Sequence, residues 1–255
     1  MEPWRTAIVE SRDGVIRVRG YDVTSLMTGR TFTDTIYLLH RDRLPTQQER
    51  ALLDAILAGV ADHGSGAPSC AAARLALSGN RASVSSAIAA GILAVGDEHG
   101  GAGSGCMEVI AAGLDRAKAE GLSLAECARL VVAEMRAARK RVPGLGHRVH
   151  TLDPRTPILF DLARRNGLAG DGIAFMEALE AVVRDTIKPL PINVDGALAA
   201  VLHDMGFPPV FGRLLFIIGR VAGLSAEVME ELGRERSMRI RIPVQYDGTP
   251  PRPLD

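Results

Sequence analysis

Aromatic residues make up only 4% of the 255 residues, cysteine occurs three times, and the longest apolar run lies around Leu214 to Ile218. A bilayer span needs roughly 20 consecutive apolar residues, so a membrane-crossing helix is excluded. Cys70, Cys106 and Cys127 show no CxxC spacing and lie among Ala and Gly. That pattern excludes a disulfide framework and a Cys zinc site, and suits buried thiols in a reducing compartment. Charge of one sign is lacking too: 30 Lys and Arg balance 30 Asp and Glu. Zero net charge removes the long-range attraction that nucleic-acid and anionic-membrane binders rely on. There is no repeat, low-complexity tract or obvious linker, and the opening MEPWRTAIVESRDG has neither a basic nor an apolar signal region. The expectation is a globular, cytoplasmic protein whose partner is a small molecule, with no nucleic acid, membrane or metal partner.

The segments that are present read as helices. Asp13-Gly14 sits between two short Val/Ile runs, a hairpin turn. Thr46 with Glu49, and Ser123 with Glu126, form capping-box pairs ahead of apolar residues at helical spacing. Residues 82–95 are apolar or small on every side of the wheel, which predicts a helix buried all round. Thr156 and Pro157 read as N-cap and first position of another helix closed by Gly167. Asp171 reads as the cap of the helix bearing Phe175 and Leu179, and further helices are expected over 196–205, 209–222 and 225–232. The fold class is mainly α with a small N-terminal β-hairpin.

Glycine and histidine gather at three junctions: GDEHGGAGSG (96–105), PGLGHRV (143–149) and KPLPINVDG (188–196). Helical bundles do not need such breaks, whereas a site assembled from helix ends does. GGAGSG lacks the Lys-Ser or Lys-Thr of a phosphate loop and follows a helix. GLGHRV lacks a third glycine and a βαβ setting. The HxxH of His147 and His150 has no companion ligand and reads as an ordinary loop pair. His63 alone reads as a helix C-terminal residue, and Asp195 alone as the N-cap of a helix starting at Gly196. Taken with His99, His147, Arg155, Arg220 and Arg241, they make a set suited to carbon–carbon bond chemistry on a carboxylated substrate.

In order along the chain stand RGYDVTSLMTGRTFTDTIYLLHRDRLPTQQER (19–50), DHGSGAPSCAAAR (62–74), HGGA (99–102), GLGHRVHTLDPR (144–155), PINVDG (191–196), GRVAG (219–223) and RIPVQYDG (241–248). These seven collinear blocks, spanning about residues 14 to 248, resemble the citrate synthase superfamily. The resemblance implies a two-domain helical fold, with 101–205 as a small domain closing on a reduced large domain of 1–100 and 206–255. It implies that His99 hydrogen-bonds the thioester carbonyl and its enolate, that His147 handles the carbonyl or hydroxyl of the four-carbon partner, and that Asp195 moves the proton on the acetyl carbon. His63, Arg155 and Arg220 would bind the carboxylic substrate. Gly144, Leu145 and Gly146 would contact CoA, which is a substrate rather than a cofactor. Arg241 would serve the neighbouring subunit's site in a homodimer, for which the basic run from Arg234 to Arg241 offers further support.

The chain departs from full-length synthases in four respects. Only one helix separates Pro45 from His63, so part of the large domain is missing. Gly103 replaces the family's Asn after HGGA, and Ile242 intervenes between Arg241 and Pro243. Where synthases have Phe after the catalytic Asp, this chain reads NVDG, as do citryl-CoA lyases and the corresponding domain of ATP-citrate lyase. The resemblance therefore implies a citryl-CoA lyase. The alternatives are a citrate or 2-methylcitrate synthase-like condensation of an acyl-CoA with a 2-oxo acid, and a catalytically idle CoA-binding relative.

Overall fold

The computed structural model describes residues 2–146 and 152–254. Among them lie a three-stranded antiparallel sheet and eleven helices, so the chain is mainly α. None of these helices is long and apolar enough to cross a membrane. The chain forms two compact units, Met1–Asp62 with Val95–Arg220, and His63–Ala94 with Val221–Asp255.

The first unit opens with β1 (Val9–Arg12) and β2 (Val15–Val18), paired in antiparallel register from Val9 opposite Val18 to Arg12 opposite Val15. Asp13 and Gly14 both adopt positive φ, 53° and 73°, as a two-residue turn of this hand demands. The hairpin gains a third strand, β3 (Tyr21–Asp22). Asp22 then caps α1 (Val23–Gly29), accepting from the Thr24 N–H at 2.9 Å. Helix α2 (Phe32–Arg41) carries Tyr37, whose hydroxyl donates to Glu49 at 2.6 Å. Glu49 belongs to α3 (Gln47–Val60), where the Thr46–Glu49 capping box forms as the sequence predicts.

The core gathers round α10 (Val194–Asp204), which packs against α6 (Ala102–Glu120), α8 (Arg155–Arg165), α9 (Asp171–Thr186) and α3. Every residue from Gly196 to Leu202 is buried. Gly196, Ala197, Ala199 and Ala200 leave little bulk on α10, so neighbours close in from all sides. Helix α7 (Leu124–Ala137) carries the second predicted capping box, Ser123 with Glu126.

In the second unit α4 (Pro68–Gly79) packs on α5 (Val84–Leu93), and α11 (Val210–Arg234) contributes its later turns. Gly91 permits close packing, because a Cβ there would lie 2.8 Å from Leu224 Cδ1. Arg74 pairs with Glu227 and, at 2.9 Å, with fully buried Glu231, which also receives Arg239.

Several sequence expectations need correction. The helix buried on every side is α10; α5 buries only Ala87 and Gly91 and leaves Val84 and Leu93 exposed. Residues expected as two helices, 209–222 and 225–232, form one continuous helix, α11, with Gly223 inside it: a lone glycine weakens a helix by about 1 kcal/mol but does not end it. Helix α8 starts at Arg155 after Pro154, and the Thr156 hydroxyl, rather than capping, donates to Ile192 O at 2.9 Å. Asp171 does not cap α9. The cap comes from Asp204, whose carboxylate accepts from the N–H groups of Gly170, Gly172 and Ile173 at 2.7–3.1 Å. Within the basic C-terminal run, Arg234 pairs with Glu230 and Arg239 with Glu231 and Glu235.

Candidate functional site

Helix α3 ends at Val60, and a helix end leaves carbonyls without intrahelical partners. Two arginines take them. Arg155 Nη1 donates to Gly59 O at 3.0 Å, and Arg220 Nε donates to Val60 O at 3.1 Å. Cations are favoured there because the negative end of the helix dipole points at them. Arg220 is 2% exposed, and its guanidinium lies 4.7 Å from the centre of the Phe216 ring.

Arg155 is fixed from a second direction. Its Nε and Nη2 donate to the two oxygens of Asp153 at 2.9 and 2.8 Å, a two-point grip between planar groups. Asp153, 1% exposed, also accepts the backbone N–H of Arg155 at 3.1 Å and that of Val194 at 3.0 Å. Burial opposes its charge, yet the hydrogen bonds from Arg155 and Val194 hold its carboxyl down at about 2.

The segment before α10 is tied down residue by residue. Ile192 N–H donates to Glu180 at 2.8 Å, Asn193 N–H to Gly144 O at 3.0 Å, and Gly146 N–H to Pro191 O at 2.7 Å. The Asn193 side chain donates to Gly146 O at 2.7 Å and accepts from Gly196 N–H at 3.1 Å, so Asn193 caps α10. The reading of Asp195 as a plain N-cap is thereby corrected: Asn193 supplies the cap, and the Asp195 side chain is released from that task.

The side chain of Asp195 is held in an unusual state. Its Oδ1 is shielded from solvent and finds no hydrogen-bond partner among the described residues. Burial pushes the carboxyl up to about 6, with Arg155 pulling it down, Asp153 pushing it up and Arg220 pulling it down. Cys106, fully buried on α6, lies close enough for the Asp195 charge, after burial, to raise its thiol further. Its Sγ sits 3.6 Å from Met176 Sδ. An acid poised near 6 takes up and gives out protons readily at neutral pH.

His99 stands in a tight turn where its N–H and C=O exchange hydrogen bonds with Gly96 at 3.0 and 2.9 Å. Gly100 follows at φ +74°, and a Cβ there would fall 2.2 Å from the Phe216 ring. The His99 ring meets that same Phe216 edge-on at 5.9 Å. Phe216 thus touches both His99 and Arg220 and links the turn to the arginine pair.

The predicted residues therefore divide as follows. Asp195, Arg155 and Arg220 share one electrostatic neighbourhood, and His99 shares Phe216 with Arg220. Gly144, Leu145 and Gly146 are paired with 191–193, next to the start of α10. His147 lies outside the described residues. His63 and Arg241 belong to the second unit and are exposed; His63 follows rather than ends α3, whose last residue is Val60, which corrects its reading as a helix C-terminal residue. Asp153, Asn193 and Phe216 were not singled out from sequence, and Cys106 was read there only as a buried thiol. The Asn-Val-Asp-Gly order at the start of α10 carried the capping signal for Asn193, and Asp-Pro-Arg carried one for Asp153.

The profile described as citrate synthase, C-terminal domain, matches residues 48–241. The structure of citryl-CoA lyase from Hydrogenobacter thermophilus is similar over 100% of this chain and 98% of its own, with 38% identity and a TM-score of 0.90. The ATP citrate lyase of Methanothrix soehngenii shares the fold over 97% of this chain and 43% of its own, at 20% identity and a TM-score of 0.77. A citrate synthase of Deinococcus radiodurans is 25% identical over 228 residues, 86% of this chain. The chain spans 57% of that relative's length. The profile match begins at the first turn of α3, takes in the 96–101 turn, Asp153, Arg155, Asp195 and Arg220, and ends at Arg241: the chain belongs to the citrate synthase family.

Proposed function

We propose that the protein is a citryl-CoA lyase, cleaving citryl-CoA to acetyl-CoA and oxaloacetate. The observation that carries this reading is Asp195: its Oδ1 is shielded from water and lacks a hydrogen bond among the described residues, and its carboxyl is raised to about 6 beside Arg155 and Arg220. Likeness to the Hydrogenobacter thermophilus lyase along the whole of both chains supports the lyase over a synthase.

In this reaction the tertiary hydroxyl of citryl-CoA gives its proton to His147, and the bond between the hydroxyl carbon and the thioester's α-carbon breaks. The electron pair of that bond becomes an acetyl-CoA enolate while the hydroxyl carbon becomes the ketone of oxaloacetate. The enolate oxygen accepts a hydrogen bond from His99; one such donor is typically worth about 3 to 4 kcal/mol of barrier. Asp195, protonated, delivers its proton to the enolate carbon and so forms the acetyl methyl. A raised pKa suits this duty, because an ordinary carboxyl would hold no proton to give. Arg155, Arg220 and His63 bind the carboxylates of the four-carbon portion, and Gly144 to Gly146 pass the CoA arm. Closure of 101–205 on the remainder would exclude water from the enolate. The protein would act as a homodimer, with Arg241 serving a second copy; apolar Val84, Leu93 and Met229, exposed in the second unit, are surface that such a copy would cover.

The deciding assay gives the enzyme citryl-CoA and follows oxaloacetate through coupled reduction. Oxaloacetate and acetyl-CoA should appear in equal amounts. A second arm supplies acetyl-CoA and oxaloacetate and measures free CoA. Free CoA released there would make the protein a synthase, which must hydrolyse the citryl thioester. No turnover in either arm would make it an idle CoA-binding relative.

A further inference from the structure

Asp153 has no role in the chemistry above, yet it is a fully buried carboxylate with four hydrogen bonds, three from Arg155 and one from Val194, the neighbour of Asp195. Its Oδ1 takes the Arg155 backbone N–H and Nε; its Oδ2 takes Arg155 Nη2 and the N–H of Val194, the residue before Asp195. We propose that Asp153 is a positioning residue that sets the substrate-binding guanidinium of Arg155 and the proton-carrying carboxyl of Asp195 in fixed register. The role rests on the lyase reading for its reaction, although the clamp itself does not.

The geometry supports this in two ways. Arg155 is held by Asp153 along one edge and by Gly59 O at Nη1, so its planar head has one orientation. The Val194 N–H is one of the donors that a helix N-terminus leaves without an internal partner. Asn193 takes the Gly196 N–H and Asp153 takes that of Val194, which fixes α10 on both sides of Asp195. A shift in Asp153 would therefore move the acid and the guanidinium together.

The charges facing Asp195 come from several elements. Arg155 of α8 and Arg220 of α11 favour its ionised form, and Asp153 disfavours it. From α6 comes the Cys106 thiol, which the Asp195 charge raises. Neutralising Asp153 removes its push and leaves the Arg155 charge uncompensated. Both changes favour ionised Asp195.

Asp153→Asn and Asp153→Glu test the proposal. The Asp195 carboxyl is followed by carbon-13 NMR titration and assigned by its loss in Asp195→Asn. In Asp153→Asn its midpoint should fall by about half a unit or more, and the alkaline limb of kcat/KM for citryl-CoA should move down with it. In Asp153→Glu, which keeps the charge but lengthens the reach, the midpoint should stay near that of the parent while kcat drops about tenfold or more from misplacement alone. A folded Asp153→Asn with an unmoved midpoint, or an Asp153→Glu with parental kcat and merely lower thermal stability, would overturn the proposal. Should Asp153→Asn not fold, the kcat of Asp153→Glu decides. Failure of the lyase reading is separate: the parent would then leave citryl-CoA intact, while the NMR midpoint would still report the clamp.

Discussion

Gly144 and Gly196 touch backbone to backbone: a Cβ on Gly144 would lie 2.6 Å from Gly196 Cα, and one on Gly196 would lie 2.4 Å from Gly144 O. Gly144 also has φ +80°, a region L side chains rarely enter. The contact joins the 144–146 loop to the first turn of α10, and thus to Asp195. Neither backbone can swing aside, because Asn193 is bonded to Gly144 O and Gly146 O at once.

Gly196→Ala should therefore destabilise the protein by about 3 kcal/mol, within the range of severe overpacking, and reduce turnover of the folded fraction by about a hundredfold. Gly105→Ala on α6 is the control. Its Cβ would meet nothing within 4 Å, so it should be neutral or stabilising by up to about 1 kcal/mol. Urea denaturation of the two variants measures the contrast, and equal stabilities would show that the loop yields.

Asp195 should trade stability for activity. Its carboxyl is raised from 3.8 to about 6, so the folded protein holds this proton more tightly than the unfolded chain. Stability from this group is full below about pH 4 and is lost as pH rises through 6. At roughly 1.4 kcal/mol per unit, ionised Asp195 destabilises the fold by about 3 kcal/mol at pH 8. Asp195→Asn should thus be more stable than the parent at pH 8 by about 1 to 3 kcal/mol, equal to it near pH 4, and inactive. In the parent, kcat/KM for cleavage should decline above about pH 6, where the acid loses its proton, and condensation should show the opposite trend. A cleavage rate flat from pH 5 to 8 would remove Asp195 as the proton donor.

What was legible in the sequence was local. The turn at Asp13-Gly14 and the boxes at Thr46–Glu49 and Ser123–Glu126 depend on residues within one turn of each other, and all three form. The misplaced cap of α9 failed because Asp204, far along the chain, supplies it. Composition alone could not tell α5 from α10, since both are small and apolar; only the number of elements packed against each decides which is buried all round. The same limit applies to the site. The family blocks pointed to Arg155, Arg220 and Asp195, whose shared neighbourhood the structure shows. Asp153 went unnoticed because its partners, Arg155 and Val194, lie on opposite sides of a 40-residue excursion. His147 lies outside the described residues.

Glu49 secures the far end of the helix that holds both arginines. It accepts from Arg43 at 2.6 and 2.9 Å, from the Tyr37 hydroxyl at 2.6 Å and from the Thr46 N–H at 2.8 Å. The Arg43 bond, against the opposition of burial, leads the interactions that hold its carboxyl at about 2. A depressed acid contributes stability above its ordinary value of 4.5 and loses it as pH falls toward 2. Glu49→Gln should reduce stability by about 3 kcal/mol at pH 7, and the gap from the parent should close on acidification from pH 4.5 to 2. A gap independent of pH over that interval would mean that the charge of Glu49 contributes nothing.

Arg220→Lys separates charge from shape. The guanidinium spans the Val60 carbonyl and the Phe216 face while 2% exposed, and a lysine ammonium has no planar fork with which to keep both. If Arg220 grips a substrate carboxylate, the lysine variant retains the charge but loses the two-point contact, so KM for citryl-CoA should rise about tenfold or more while kcat changes less. Its circular dichroism should stay near that of the parent, while the thermal midpoint should fall, since one of the buried contacts of the guanidinium is lost. Because Phe216 also meets His99, a fall in kcat with unchanged KM would instead mean that Arg220 acts through the 96–101 turn; parental values of both constants would take Arg220 out of the site.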